Sequence, residues 1–134
     1  MVTVQSVQRS YNVLCVEDDY MVRELLELGL PMKCSTLNVV TAPHGLDAIA
    51  YLERNTVDLV VTDFNMPFCN GAELAEHIES SDSPVPVVVF SGDDESKLRD
   101  NVPSAVGYVS KTATRSSLDE LASIVATTLQ IDRV

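Results

Sequence analysis

Acidic side chains stand directly after two apolar runs of strand length. Glu17, Asp18 and Asp19 follow the first run, and Asp63 follows the third. If both runs are parallel strands, their carboxyl ends meet at one edge of the sheet, where such folds bind ligands. Mg²⁺ prefers oxygen ligands, and a bound cation relieves the repulsion between clustered carboxylates. With Asp63 at the same edge, the spacing predicts a metal site at Glu17, Asp18 and Asp63. The alternative is that all three residues only cap the next helix, a role that suits Asp19.

Asp63 is also a candidate nucleophile. A carboxylate can attack phosphorus and form an acyl phosphate when a cation and a positive side chain offset the charge repulsion. Lys111 follows the fifth apolar run and would supply the positive side chain at the same edge of the sheet. The alternative for Lys111 is a solvated loop lysine, which is the commoner situation for this residue type.

Ser91 and Tyr108 each have two interpretations. Ser91 precedes Gly-Asp-Asp, which is good turn chemistry, but its hydroxyl would also reach a phosphoryl oxygen bound at this edge. Tyr108 is either a partly buried aromatic or a side chain that changes rotamer when Ser91 moves. In the second interpretation, a surface aromatic becomes buried when Ser91 is drawn toward the phosphoryl group.

The elements that position these residues follow from the apolar periodicity. Five short runs rich in β-branched residues are typical of buried parallel strands, and they cover residues 11–16, 38–41, 57–62, 85–91 and 105–109. Helical periodicity fills the intervals between them. The first helix is followed by the segment 30–34, and the last begins with a capping box at Ser117 and Glu120. Residues 95–101 have only Leu98 to bury and predict a short, mobile helix.

Alternating strands and helices predict a parallel sheet that is covered on both faces. The fold class is therefore α/β, with a doubly wound five-stranded parallel sheet of the flavodoxin-like type. A length of 134 residues suits one domain. We expect this domain at residues 11–130, after a flexible extension at 1–10 and before a short tail at 131–134.

Composition narrows the classes of partner. The formal charge of −11 repels phosphate backbones and anionic lipids, so neither nucleic acid nor a membrane is an expected partner. No run approaches the roughly 18 apolar residues that span a bilayer. Cys15, Cys34 and Cys69 are an odd number without CxxC spacing, so we expect reduced thiols in the cytoplasm rather than disulfides or a zinc site.

Four motifs in chain order resemble the receiver domains of bacterial response regulators. They are VLCVEDD, DLVVTDFNMPFCNG, VVVFSG and GYVSK, and the resemblance runs from about residue 11 to residue 129. It implies a phosphoacceptor of two-component signalling in which Asp63 is the phosphorylated residue. Asp18 then resembles the direct Mg²⁺ ligand, Glu17 a ligand through water, and the backbone carbonyl of Asn65 a further ligand.

The resemblance also implies roles for three other residues and for partners. Lys111 resembles the phosphate-binding lysine, and Ser91 and Tyr108 resemble the hydroxyl and the aromatic residue that couple phosphorylation to a distant surface. A histidine kinase or a histidine phosphotransfer protein would donate the phosphoryl group. A protein effector would bind the face formed by helix 4, strand 5 and helix 5. The family usually has proline where Thr112 stands, so a cis peptide is not expected there.

Other interpretations of the chain stay open. It could be a receiver module of a hybrid histidine kinase or a longer regulator. A flavodoxin-like binding protein would need a Ser, Thr or Gly-rich phosphate loop where Glu-Asp-Asp stands. A phosphatase of the haloacid dehalogenase type would need a second aspartate where Asn65 stands.

Overall fold

The computed structural model describes residues 9–111 and 114–134. Within these residues, five strands alternate with five helices. The strands are β1 (Tyr11–Val16), β2 (Leu37–Ala42), β3 (Leu59–Thr62), β4 (Val87–Ser91) and β5 (Gly107–Ser110). The helices are α1 (Tyr20–Lys33), α2 (Gly45–Arg54), α3 (Gly71–Glu79), α4 (Glu95–Asn101) and α5 (Thr114–Leu129).

The strands form one parallel sheet in the order β2-β1-β3-β4-β5. The chain winds from β1 outward to β2 and then returns to β3 on the other side, so the winding direction reverses between β1 and β3. Val16 at the end of β1 is in register with Ala42 of β2 and Thr62 of β3. The residues that follow β1 and β3 are therefore neighbours at the switch point, where such sheets bind ligands. The predicted doubly wound fold is confirmed.

Side chains alternate between two apolar cores on opposite faces of the sheet. Leu14 and Val60 pack with residues of α2, α3 and α4 on one face. Val13 and Val61 pack with residues of α1 and α5 on the other. Because both faces are covered, β1 and β3 are apolar almost throughout, as parallel strands buried on both faces must be.

Two helix boundaries differ from the sequence prediction. Helix α1 continues through Pro31 to Lys33. Leu30 and Cys34 are both fully buried, and the N–H of Cys34 donates to the carbonyl of Leu30 at 2.9 Å, so packing continues the helix past the proline. The missing proline N–H removes one helical hydrogen bond, and buried apolar contacts on either side compensate for it.

The predicted capping box at Ser117 and Glu120 is wrong. Helix α5 already begins at Thr114, so Ser117 lies inside its first turn, where its buried hydroxyl donates to the carbonyl of Ser110. A serine at this point satisfies a strand-end carbonyl instead of the helix N–H groups. Thr112 lies outside the described residues, as does most of the expected N-terminal extension.

Helix α4 matches its prediction at Glu95–Asn101, and Leu98 is the buried residue of this helix. Within the described residues, no helix is both long and apolar enough to cross a membrane.

Candidate functional site

The loop after β1 presents three acidic residues in three different settings. Glu17 continues the strand, because its N–H donates to the carbonyl of Ala42 at 3.0 Å, and its side chain is buried. Asp18 is exposed. Asp19 is the N-cap of α1, and its carboxylate accepts from the N–H of Met21 at 2.8 Å. The capping role predicted for Asp19 is confirmed, and the other two carboxylates are left for other chemistry.

Asp63 lies at the end of β3, beside the first acidic loop. Its N–H donates to the carbonyl of Val16 at 3.0 Å, and its Oδ1 accepts from the N–H of Phe64 at 2.7 Å. The residue is 8% exposed, so only a small part of its surface is in contact with solvent. A β-carbon at Gly71 would lie 2.6 Å from the carbonyl oxygen of Asp63. Glycine at position 71 therefore allows α3 to start directly against the backbone of Asp63.

Glu17, Asp18 and Asp63 form one carboxylate cluster. Each offers an oxygen that lies within 4.8 Å of the oxygens of the other two. Oxygens on a single Mg²⁺, with bonds of about 2.0–2.1 Å, are at most about 4.2 Å apart. Small side-chain movements would bring this cluster onto one ion, so the donor chemistry and the spacing fit the predicted cation.

Lys111 reaches the same cluster from the end of β5. Its Nζ lies 2.8 Å from both carboxylate oxygens of Glu17 and 3.0 Å from Oδ2 of Asp63. Burial alone would lower the pKa of Lys111, but the hydrogen bond to Glu17 and the charge of Asp63 outweigh burial and raise it. The ammonium group is therefore charged at neutral pH and pairs with two carboxylates. The interpretation of Lys111 as a solvated loop lysine is wrong.

The cluster nevertheless has an excess of negative charge. Burial raises the pKa of Glu17 to about 7, and the charge of Asp63 adds to this effect, although Lys111 opposes it. Three carboxylates face the ammonium group of Lys111, which cannot neutralise all of them. A divalent cation would supply the missing positive charge.

The loop after β4 lies next to the loop after β3. Ser91 is fully buried, and its hydroxyl accepts from the N–H of Asp93 at 3.3 Å. The side-chain amide of Asn65 donates to the carboxylate of Asp93, which links the loops after β3 and β4. Asp93 is not among the site residues predicted from the sequence. Its position just beyond the fourth strand end, at the same edge as Asp63, was the signal that could have identified it.

Tyr108 lies in β5 with its ring buried. Its hydroxyl donates to the carbonyl of Val102 at 2.5 Å, and the guanidinium of Arg99 stacks over the ring at 4.6 Å from its centre. The structure thus has Tyr108 in the buried arrangement. The surface arrangement of this residue, and its coupling to Ser91, remain predictions.

Comparisons with known proteins converge on one family. The sequence profile of the response regulator receiver domain matches residues 13–123. The two-component response regulator ARR17 of Arabidopsis thaliana is 32% identical over 117 residues, which cover 77% of this chain and 71% of ARR17. The transcriptional regulatory protein PrrA of Mycobacterium tuberculosis is 38% identical over 82 residues, which cover 61% of this chain and 34% of PrrA.

A solved structure gives the same result. Response regulator TrrA of Thermotoga maritima, determined in complex with Mg(2+)-BeF, superposes with a TM-score of 0.73 at 25% identity, covering 84% of this chain and 96% of that one. Several curated relatives are much longer than their matched region, which spans only 18% to 34% of their length.

Proposed function

The chain belongs to the response regulator receiver domain family, and on this premise we propose that it accepts a phosphoryl group on Asp63. One observation carries the proposal. Lys111 from the end of β5 joins Glu17 and Asp63, which follow β1 and β3, so nucleophile, positive side chain and acidic cluster form one site. This is the set of groups that phosphoryl transfer to a carboxylate requires.

The transfer step follows from this geometry. A carboxylate oxygen of Asp63 forms the new bond to phosphorus while the bond between phosphorus and the donor's imidazole nitrogen breaks, and the electron pair leaves with the imidazole. Lys111 lies 3.0 Å from Asp63 Oδ2, so its ammonium can pair with the oxygens of the incoming group. The N–H of Phe64 holds Oδ1 at 2.7 Å and fixes the plane of the carboxylate. When bound, Mg²⁺ supplies positive charge that offsets repulsion between the phosphoryl oxygens and the carboxylates.

We assign the cation to Glu17, Asp18 and Asp63, with the backbone carbonyl of Asn65 as the remaining protein ligand. The first three are supported by the spacing of their oxygens. The carbonyl of Asn65 rests on the family resemblance. Asp18 would bind directly because it is the exposed member of the cluster, whereas Glu17 is occupied by Lys111 and would act through water.

Partners follow from the same proposal. The phosphoryl donor would be a histidine kinase or a histidine phosphotransfer protein. The output surface would be the face of α4, β5 and α5, where Tyr108 lies beneath Arg99. Ser91, buried at the end of β4, would couple the phosphoryl group to this face.

All three cysteines are free and buried, which supports a reducing compartment such as the cytoplasm.

Two further points of organisation are proposals as well. The receiver domain would extend over residues 11–130. It would act as a separate protein or as a module of a hybrid kinase or longer regulator. The charge of −11 disfavours nucleic acid and anionic membranes as direct partners of this domain.

Stoichiometry distinguishes a signalling receiver from a phosphatase that uses the same carboxylate. With acetyl phosphate and Mg²⁺, we expect at most one phosphoryl group per chain by intact mass, and negligible hydrolysis of p-nitrophenyl phosphate. Sustained turnover of that ester, lost in Asp63→Asn, would instead assign the site to a phosphatase.

A further inference from the structure

The loop that carries Glu17 and Asp18 is held at both ends by one residue of α1. At its start, the backbone carbonyl of Glu17 accepts a hydrogen bond of 2.8 Å from Nη1 of Arg23. At its end, the carbonyl of Asp19 accepts from the N–H of Arg23 at 3.0 Å. The second bond is the ordinary first bond of the helix, which any residue at position 23 would make, so only the guanidinium bond to Glu17 depends on arginine.

Asp18 lies between these two fixed points. Its side chain is exposed, and no hydrogen bond or ion pair to its carboxylate is found within residues 9–111 and 114–134. Glu17 differs, because Lys111 binds its carboxylate. The loop thus combines a fixed backbone with one free carboxylate, an arrangement that suits a ligand awaiting a cation.

We propose that Arg23 is a positioning residue for the cation site, where its guanidinium holds the backbone carbonyl that precedes Asp18 in the arrangement that binds a divalent ion. The inference rests on the proposed function, because it requires a cation at Glu17, Asp18 and Asp63. Groups that orient metal ligands without touching the metal commonly change metal affinity by about tenfold or more when they are removed. Arg23 bonds to a backbone carbonyl rather than to a carboxylate, so it leaves the ligand oxygens of the loop available.

The positive charge of Arg23 would have the opposite effect. A guanidinium near a cation site repels the cation, so removal of the charge alone would tighten Mg²⁺ binding. Loss of the positioning hydrogen bond would weaken it. The direction of the change therefore separates positioning from simple electrostatics.

The experiment is a Mg²⁺ titration of metal-free, ¹⁵N-labelled protein, followed by amide NMR. We expect Arg23→Gln to bind Mg²⁺ about tenfold more weakly than wild type. Arg23→Lys keeps the charge and one donor for the carbonyl of Glu17, so its affinity should lie between the two. Arg54→Gln removes the same charge from the exposed last residue of α2, which lies at the opposite edge of the sheet, and should keep the wild-type affinity.

A second measurement does not involve the metal. In metal-free protein, amide hydrogen exchange should be faster in Arg23→Gln than in wild type at Glu17 and Met21, whose N–H groups donate to Ala42 and to Asp19, while the β1 amide of Leu14 should be unchanged. If Arg23→Gln does not fold, the same comparison uses Arg23→Lys, for which intermediate affinity and exchange are expected.

The outcomes that overturn the inference differ from those that overturn the proposed function. Wild-type or tighter Mg²⁺ binding in the folded Arg23 variants would remove the positioning role while leaving the cation site intact. Absence of Mg²⁺ binding by the wild-type protein would remove the cation site itself, and the inference with it.

Discussion

Lys111 donates to both carboxylate oxygens of Glu17 at 2.8 Å, although the two residues are 94 positions apart in the chain. Their strands are not neighbours either, because β3 and β4 lie between β1 and β5. The lysine side chain therefore crosses the carboxyl edge of the sheet, past Asp63, to reach Glu17. This contact brings the chemistry of three strand ends into one site.

Removal of the lysine should destabilise the fold in a pH-dependent way. The folded-state pKa of Glu17, about 7, is already above its ordinary value of 4.5 because the residue is buried. Without Lys111 the pKa of Glu17 rises further. The folded state is then destabilised by an unpaired buried carboxylate once the pH exceeds the ordinary value of 4.5. We expect Lys111→Met to lose about 2 kcal/mol at pH 8 and less at pH 5, where Glu17 is protonated.

Urea unfolding in EDTA at both pH values measures this loss. Lys97→Met is the control, because Lys97 is an exposed lysine that pairs with Asp93 at 3.6 Å. Equal losses for Lys111→Met at pH 5 and pH 8 would contradict the proposed cause.

Neighbouring acids in the loop after β1 should have separable roles. Asp19 accepts from two N–H groups of α1, so Asp19→Ala should cost about 1 kcal/mol of stability while keeping the response to Mg²⁺. Asp18→Ala should keep the stability of the metal-free protein but lose the response. Wild type should gain about 1.4 kcal/mol when Mg²⁺ is present at ten times its Kd.

Thermal unfolding with and without Mg²⁺, at constant ionic strength, measures both effects. Should Asp18→Ala respond to Mg²⁺ as wild type does, the acidic loop is only a helix cap.

Phe68 has a left-handed backbone with φ of 68° and a side chain that is 88% exposed. The N–H of Cys69 donates to the carbonyl of Pro67 at 2.8 Å, so Phe68 is the central residue of a γ-turn, which costs a bulky residue about 1 kcal/mol or more. Glycine tolerates this backbone but loses about 0.5–1 kcal/mol through the entropy of the unfolded chain, and the exposed ring gains little from burial, so Phe68→Gly should be at least as stable as wild type. Phe68→Leu retains the backbone cost and serves as the control. Chemical denaturation of both variants gives the comparison, and a Phe68→Gly variant less stable than Phe68→Leu would show that the backbone at position 68 is not strained.

The thiols should be protected by the fold. Burial raises the pKa of Cys15, Cys34 and Cys69, so little thiolate forms at neutral pH. We expect all three to react slowly with DTNB in the native protein and quickly in urea. Fast reaction of one thiol in the native protein would indicate local opening around that cysteine.

The strand ends and their acidic residues could be predicted from the sequence because buried parallel strands leave a clear apolar pattern. That pattern places Glu17 and Asp63 at one edge without any contact being known. The partners of side chains could not be predicted in the same way. The reach of Lys111 to Glu17 and of Arg23 to a backbone carbonyl depends on rotamers that tertiary packing selects.

Helix ends show the same limit. Ser117 and Glu120 have the spacing of a capping box, but the strand-end carbonyl of Ser110 competes for the serine hydroxyl. Local spacing therefore indicated the helix correctly and its first residue incorrectly. Pro31 likewise indicated an end to α1 that the buried Leu30 and Cys34 override.

Intact mass spectrometry shows directly whether Asp63 accepts the phosphoryl group. Wild type, Asp63→Asn and the control Asp94→Asn are incubated with acetyl phosphate and Mg²⁺. Asp94 follows β4 at the same edge of the sheet, so the control removes an equivalent charge nearby. We predict a mass increase of one phosphoryl group in wild type and Asp94→Asn, and none in Asp63→Asn. Equal labelling of Asp63→Asn would contradict this role of Asp63.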